Sequence, residues 1–350
     1  MLNQKRIRDY GMKIGAMEPG NLNSITDIEG VRVGHVTICD GDAQTGVTAI
    51  LPHQGNMFQQ KLLAATHVIN GFGKSMGLMQ IDEMGVIETP IVLSNTLSIG
   101  VVSDALIQYM LDQNDDIGVA TGTVNPLVFE CNDSYLNDIR TAHVTKEHVF
   151  EALNLTKQEF AEGAVGAGRG MSCYKLKGGI GTASRRFKID DRDSLLGALV
   201  MTNMGQKRDF TIDGKNIGEA ISLVDGEDQK PDTGSIIIVL ATDVALSERQ
   251  LKRVAKRAAV GLSRTGSFVG SGSGEVVLAF TTKNSVSHYK NEKIETLTRT
   301  HEDDLDILFR AAAESVEEAI LNSMITAEST TGVEGNTRKS LQEYMQLLTS

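Results

Sequence analysis

The stretch Pro231-Asp232-Thr233-Gly234-Ser235-Ile236-Ile237-Ile238-Val239-Leu240 decides how the rest of the chain is read. From Ser235 onward it is a continuous apolar run bounded by turn residues, the pattern of a fully buried strand. A Gly-Ser pair stands at its mouth. Gly234 has no Cβ and can hold backbone shapes closed to other residues, so its carbonyl can come under attack by the Ser235 hydroxyl. Cleavage there would leave Ser235 as a new N-terminus, carrying a nucleophile and an amine base on one residue. Asp232-Thr233-Gly234-Ser235 also has the composition of a plain turn ahead of a strand, and on these residues alone the turn is the simpler reading.

Outward from this strand, the second half alternates strands with amphipathic helices. Ser247-Glu248-Arg249-Gln250 has the form of a capping box, with Ser at the cap and Gln three residues on. The helix it opens carries Leu251, Val254, Ala255, Ala258, Ala259 and Leu262 on one face. Residues 275–281 read as a strand, and 301–324 as a long helix whose Glu302, Asp303 and Asp304 complement its N-terminal dipole. Upstream, 31–38, 48–51, 91–93 and 195–203 have strand character, while 103–113 and 146–160 read as helices. Residues 162–186 are rich in glycine and poor in periodic apolar positions, which predicts a structured loop with a short strand. Without strict βαβ alternation, the mixture predicts an α/β protein of layered sheets flanked by helices, in one domain spanning 1–350.

The 350 residues are 41% hydrophobic and 23% charged, the balance of a soluble globular protein. A formal net charge of −11 argues against a phosphate-binding surface, so no nucleic-acid partner is expected. Cys39, Cys131 and Cys173 are far apart and odd in number, which indicates neither a zinc site nor a disulfide framework. The first residues hold no apolar signal core, 43–60 is uncharged but polar, and 89–103 is too short to span a bilayer. The expectation is a cytoplasmic protein without a membrane or metal requirement.

Several motifs fail on their context. Gly71-Phe72-Gly73-Lys74-Ser75 contains the Gly-Lys-Ser of a phosphate loop, but Val68 stands where the first glycine belongs. Gly73-Lys74-Ser75-Met76-Gly77 fits a Gly-x-Ser-x-Gly elbow, yet the apolar run before it stops at Ile69, which predicts a close-packed glycine turn. The glycines of 163–170 neither follow a clear strand nor open a clear helix, so a dinucleotide site is a weak reading. His143 and His148 read as surface or satisfied core residues.

Other segments could serve Ser235. Residues two apart on a strand share a face, so Ser273 and Glu275 would project together and could orient a nucleophile or hold a substrate ammonium; a strand-opening turn accounts for them equally. Asn203 ends the apolar run 196–202, as a turn former or as an amide donor for a developing oxyanion. Asn132-Asp133-Ser134-Tyr135-Leu136-Asn137-Asp138 gathers polar groups around one phenol, which is also the make-up of a solvated loop.

In order and spacing these segments resemble the DmpA-type aminopeptidases, the L-aminopeptidase/D-esterase and β-aminopeptidase group of self-processing N-terminal-serine hydrolases. The resemblance covers almost the whole chain. It runs from Thr26-Asp27-Ile28-Glu29-Gly30-Val31-Arg32-Val33-Gly34-His35 through Thr45-Gly46-Val47-Thr48-Ala49, Asn70-Gly71-Phe72-Gly73-Lys74-Ser75 and Ser94-Asn95-Thr96-Leu97-Ser98. It continues through the Asn132 segment, Lys177-Gly178-Gly179-Ile180-Gly181-Thr182-Ala183-Ser184-Arg185, Gly234-Ser235-Ile236-Ile237 and Arg264-Thr265-Gly266-Ser267. It implies Ser235 as nucleophile, Gly234 as the residue before a self-cleaved bond, Asn203 as the oxyanion-binding amide and Tyr135 as a phenol lining the site. Ser273 and Glu275 become the supporting hydroxyl and carboxylate, with Glu275 pairing the substrate ammonium. The implied fold is an αββα sandwich like that of the ornithine acetyltransferases, cut into 1–234 and 235–350. No cofactor and no metal are implied. Short peptides, amino-acid amides or esters are the implied substrates, and a homo-oligomer, suggested as a tetramer, the implied assembly. Arg169 stands in the Gly-rich loop where the family pattern has a small or neutral residue, which bears on the acyl-side pocket. Acyl transfer on the same fold and a non-enzymatic binding role are the alternatives.

Overall fold

The computed structural model describes residues 4–226 and 234–348; Pro231, Asp232 and Thr233 lie outside the described residues. Two main sheets, of four and six strands, carry the fold. Their strands in the first half are β1 (Arg32–Asp40), β2 (Ala43–Leu51), β3 (Gln60–Gly71), β4 (Val86–Ile87), β5 (Ile91–Asn95) and β6 (Leu127–Cys131). The second half adds β7 (Ile180–Ile189), β8 (Arg192–Asn203), β9 (Ser235–Thr242) and β10 (Gly274–Ser287). The smaller sheet runs β1-β2-β5-β6 and the larger β4-β3-β10-β9-β8-β7. Among the strands of these two sheets, only β5/β6 and β9/β10 pair in parallel. The helices are α1 (Leu78–Met84), α2 (Ile99–Leu111), α3 (Lys146–Asn154), α4 (Gly218–Asp225), α5 (Glu248–Ala255), α6 (Ala258–Arg264) and α7 (Leu305–Ile325).

The pleat of β9 sorts its side chains into two cores. Ile236, Ile238 and Leu240 join Leu251 of α5, Leu262 of α6 and Leu308, Val316 and Ile320 of α7. Ile237, Val239 and Ala241 face the other sheet and join Leu93 and Phe129. A third core packs Val47, Ala49, Val92 and Val128 against Val102, Leu106, Val149 and Leu153 of α2 and α3. The layers are therefore helix, sheet, sheet, helix, the expected αββα sandwich. Five large apolar residues from Ile236 to Leu240 are all buried. At roughly 1.5–3 kcal/mol each, they hold β9 with on the order of 10 kcal/mol.

The departures from the sequence reading have physical causes. The predicted loop over 162–186 ends in the ten-residue strand β7, whose alternation is hidden by a buried arginine. Arg185 is fully buried because it bonds Glu314 Oε2 at 3.2 Å and Glu318 Oε2 at 2.8 Å on α7. The helix predicted to reach residue 160 stops at Asn154, since the chain then turns to bridge Lys157 to Val33. The Ser247–Gln250 capping box forms, but the helix it opens bends after Ala255 into α6. The bend aims Gly261 at α7, where an added Cβ would lie 2.3 Å from the Ala313 carbonyl oxygen. Strand β3 runs on to Gly71, beyond the apolar run, because Asn70 and Gly71 pair with Glu275 and Gly274 of β10. The long helix begins at Leu305, after a short turn of tighter helix over Glu302–Asp304. Among the described residues, no helix is long and apolar enough to cross a membrane.

Candidate active site

The ends of β3, β6 and β8 meet the starts of β9 and β10 at one edge of the sandwich. Ser235 opens β9, lies opposite Asn203 on β8 and opposite Gly274 on β10, and is 7% exposed. Paired residues share a face, and Ser235 shares its parity with Ile237 and Val239. Its hydroxyl and the Asn203 side chain therefore both project between the sheets. The carbonyl of Gly234 accepts the Gly274 N–H at 3.1 Å, so the bond expected to break is already polarised by a fixed donor.

Gly234 is required by closeness. An added Cβ would sit 1.9 Å from the Asn203 carbonyl oxygen and 2.7 Å from Met204 Cα. At Gly274 an added Cβ would lie 2.6 Å from the Phe72 carbonyl oxygen and 3.1 Å from Ser235 Oγ. Two glycines thus bring three strand ends and one loop against the serine.

Asn203 is the last residue of β8 and is 7% exposed. Its Oδ1 accepts the Ser172 N–H at 2.8 Å, and its Nδ2 donates to the Asn132 carbonyl at 2.9 Å. These two bonds fix which end of the amide is which. A primary amide carries two N–H donors, so one remains to meet an oxygen at the Ser235 face.

Ser273 donates to Glu275 Oε1, as the shared-face argument expected, and both are fully buried. Their placement differs from that argument in one respect. Glu275 pairs with Ile236 and shares the parity of Val277 and Ala279, so it lies on the helix-layer face while Ser235 Oγ lies between the sheets. Ser273 and Glu275 flank Gly274, the residue opposite Ser235, so the pair lies beside the head of β9. Sequence reasoning missed a second carboxylate, Glu130 of β6, which is 3% exposed. It accepts the Lys74 N–H at 2.8 Å and the Thr96 hydroxyl. Only a charge inside the apolar segment Leu127-Val128-Phe129-Glu130-Cys131 signalled it. The loop from Phe72 to Lys74 spans from Gly274, opposite Ser235, to Glu130 and so links the serine's surroundings to this carboxylate.

Burial, then the charges of Glu130, Glu275 and Asp133, pushes the Cys131 thiol well above its ordinary range. A thiol so placed stays protonated and is no rival nucleophile. Burial also raises the Asp133 carboxyl to about 7, with Asn137 Nδ2 donating to its Oδ1 at 3.0 Å. Tyr135 stands a step away from this cluster: the Arg338 guanidinium lies over its ring at 3.5 Å, and Arg338 Nε donates to Ser172 Oγ at 3.1 Å. Arg169 donates from Nε to Gln44 Oε1 at 2.7 Å. Ser75 does not sit on a strand-to-helix elbow, because the following Met76 runs beside Val128 as an isolated bridge before α1 begins.

A serine heading a central strand, with an amide across from it and a buried hydroxyl-carboxylate pair behind it, defines within an αββα sandwich a hydrolase of the N-terminal-nucleophile type. The chain belongs to peptidase family S58, which matches residues 23–338. A β-peptidyl aminopeptidase, BapA of Sphingosinicella microcystinivorans, is 35% identical over 359 residues, covering 96% of this chain and 89% of its own length. The PH0078 protein of Pyrococcus horikoshii OT3 superposes with a TM-score of 0.94 at 47% identity, covering 99% of both chains. The L-aminopeptidase D-Ala-esterase/amidase of Ochrobactrum anthropi, a prototype of the serine aminopeptidases with a variant of the Ntn-hydrolase fold, superposes with a TM-score of 0.90. It is 35% identical and covers 98% of this chain and 99% of its own. The chain is accordingly a serine-type aminopeptidase of the N-terminal-nucleophile class.

Proposed function

We infer that Ser235 is the nucleophile, and that it is made by self-cleavage of the Gly234–Ser235 bond. As a mid-chain residue it lacks an amine, so its hydroxyl first attacks the Gly234 carbonyl in an N-to-O acyl shift. Hydrolysis of that ester frees the α-amine, whose ordinary pKa of about 7.7–8.0 suits a general base near neutral pH. In turnover the amine takes the hydroxyl proton as Oγ attacks a substrate carbonyl. Asn203 then stabilises the oxyanion, a role whose loss typically costs about 3–4 kcal/mol of barrier. The observation that carries this reading is the seating of Gly234 and Ser235 between Asn203 and Gly274.

The carboxylates divide by position. Glu275, buried with Ser273 on the main-chain side, suits the α-amine of Ser235; Glu130, on the far sheet across the Phe72–Lys74 loop, suits the substrate ammonium. That assignment makes the enzyme an exopeptidase and replaces the expectation that Glu275 alone binds the ammonium. Substrates are short peptides, amino-acid amides or esters, by analogy with the relatives named above. Tyr135 lines the approach under Arg338. We further infer a homo-oligomer, a tetramer by the family resemblance, in the cytoplasm, which scattered free cysteines favour.

A denaturing gel with N-terminal sequencing tests the reading. Residues 1–234 and 235–350 should separate on the gel, co-purify natively, and give way to one uncut chain in Ser235→Ala. Cutting of that variant at the same bond would assign the cleavage to an outside protease.

A further inference from the structure

The sequence places one lysine in the Gly-rich segment Leu176-Lys177-Gly178-Gly179, and the fold buries it completely. Its Nζ has three carbonyl acceptors: Gly168 at 3.0 Å, Met171 at 2.9 Å and Gly178 at 2.7 Å. An ammonium has three protons, one for each of these oxygens. Burial and the nearby Arg169 draw the lysine well below its usual range, while Asp133 and Cys173 oppose them. The three acceptors favour the charged form, because a neutral amine would turn its lone pair against one of them.

The Met171 carbonyl and the Ser172 N–H belong to one planar peptide unit. The ammonium draws electron density from that carbonyl, which makes the attached Ser172 N–H a stronger donor. That N–H bonds Oδ1 of Asn203 at 2.8 Å, and the side-chain amide carries the polarisation on to Nδ2. Hydrogen bonds in such chains strengthen one another where water is excluded. We propose that Lys177 is a positioning residue that works through the Met171–Ser172 peptide to orient and polarise the Asn203 amide for the oxyanion. This rests on Asn203 being the oxyanion donor. The lysine touches neither Ser235 nor a substrate; its positive charge reaches the reaction through two amides in series. Sequence reasoning read this lysine only as part of a family-like segment.

A double-mutant cycle tests the relay on the purified, processed enzyme with an amino-acid amide substrate. Asn203→Ala alone should lower kcat by about 10²–10³-fold, and a change of less than threefold would remove Asn203 from the mechanism. Lys177→Met should lower kcat by roughly 10–100-fold with KM nearly unchanged, because the interaction strengthens only as the oxyanion forms. In the Asn203→Ala background the same lysine substitution should change kcat by less than about twofold. An equal loss in both backgrounds would overturn the relay while leaving Asn203 in place. Should Lys177→Met yield no soluble protein, Ser172→Pro decides, since it deletes the connecting N–H and keeps the lysine. Ser172→Ala controls for the lost hydroxyl. A Ser172→Pro enzyme with kcat within twofold of Ser172→Ala would overturn the proposal, and a drop of tenfold or more confined to the background with Asn203 would support it.

Discussion

Replacing Gly234 with alanine places one methyl group where the fold has no room. Its carbon would start 1.9 Å from the Asn203 carbonyl oxygen and 2.8 Å from the Asn203 carbonyl carbon, both backbone atoms that cannot swing away. Cβ atoms essentially never come within 3.0 Å of such neighbours, so β8 and the head of β9 must part by at least 1.1 Å, the difference between 3.0 and 1.9 Å. Overpacking of this kind costs about 1–3 kcal/mol of stability. That is well below the on the order of 10 kcal/mol that apolar burial gives β9, so the chain should still fold. The proposed self-cleavage should be far more sensitive. A displacement of ~1 Å between reacting groups costs about 10²-fold in rate. Cell-free synthesis gives a defined start time, and a gel time course with intact-mass measurement gives the rate of appearance of 1–234. Gly234→Ala should process about 100-fold more slowly than the parent while keeping its circular dichroism and a cooperative melt. Processing within threefold of the parent rate would refute the argument that close seating against Asn203 drives the cleavage.

The two carboxylates should separate kinetically. Glu130→Gln should lower kcat/KM for free-amine substrates by roughly 10–100-fold, the worth of a charged hydrogen bond, with self-cleavage little changed. Glu275→Gln should instead depress kcat for every substrate; identical profiles for the two variants would remove the division of labour. The acid limb of kcat should be a single titration, because the protonated α-amine cannot accept the hydroxyl proton; burial lowers the pKa of that amine and the Glu275 carboxylate raises it, so Glu275→Gln should move the limb to lower pH. A pH–rate profile whose acid limb stays in place in Glu275→Gln would contradict this. Asp133 makes a stability prediction. Its folded pKa of about 7 lies above the ordinary 3.8, so the native state holds a proton that the unfolded chain has released. Stability from this group is intact below about 4 and falls as pH rises toward 7, by up to about 4 kcal/mol. In uncut Ser235→Ala protein, adding Asp133→Asn should therefore raise the urea midpoint more at pH 8 than at pH 5; equal gains at both would show that the carboxyl is not held protonated.

The parts of this molecule that were legible from sequence are those where one local rule acts alone. The apolar run of β9 announced a buried strand, and Ser247 with Gln250 announced a helix start, because burial and capping leave their mark on adjacent residues. Strand β7 was opaque because Arg185 sits where an apolar residue belongs, answered by Glu314 and Glu318 more than a hundred residues away. The end of β3 was opaque because Asn70 and Gly71 are strand residues only by virtue of their partners on β10. The site divides the same way. Gly234, Ser235 and Asn203 could be named from strand ends and a family likeness. The face on which Glu275 lies depends on the register of β9 with β10, and Glu130 and Lys177 reach the site from other segments through backbone groups that no local pattern records.

The strand order β4-β3-β10-β9-β8-β7 has a consequence for the life of the molecule. If the chain is cut before Ser235, the two strands of the shorter piece remain wedged between strands of the longer one, bonded on both flanks. Before the cut, refolding is a unimolecular search whose rate ignores concentration. Afterwards it is an encounter between two molecules, each with a torn sheet. Heating should therefore be forgiving for the precursor and unforgiving for the mature enzyme, even where their contacts are the same. If, as proposed, the chain cuts itself once Asn203 and Gly274 have closed around the bond, the scission would act as a one-way record that folding was completed. A chain that never reached the native arrangement would never acquire its amine, and so would never become a stray peptidase.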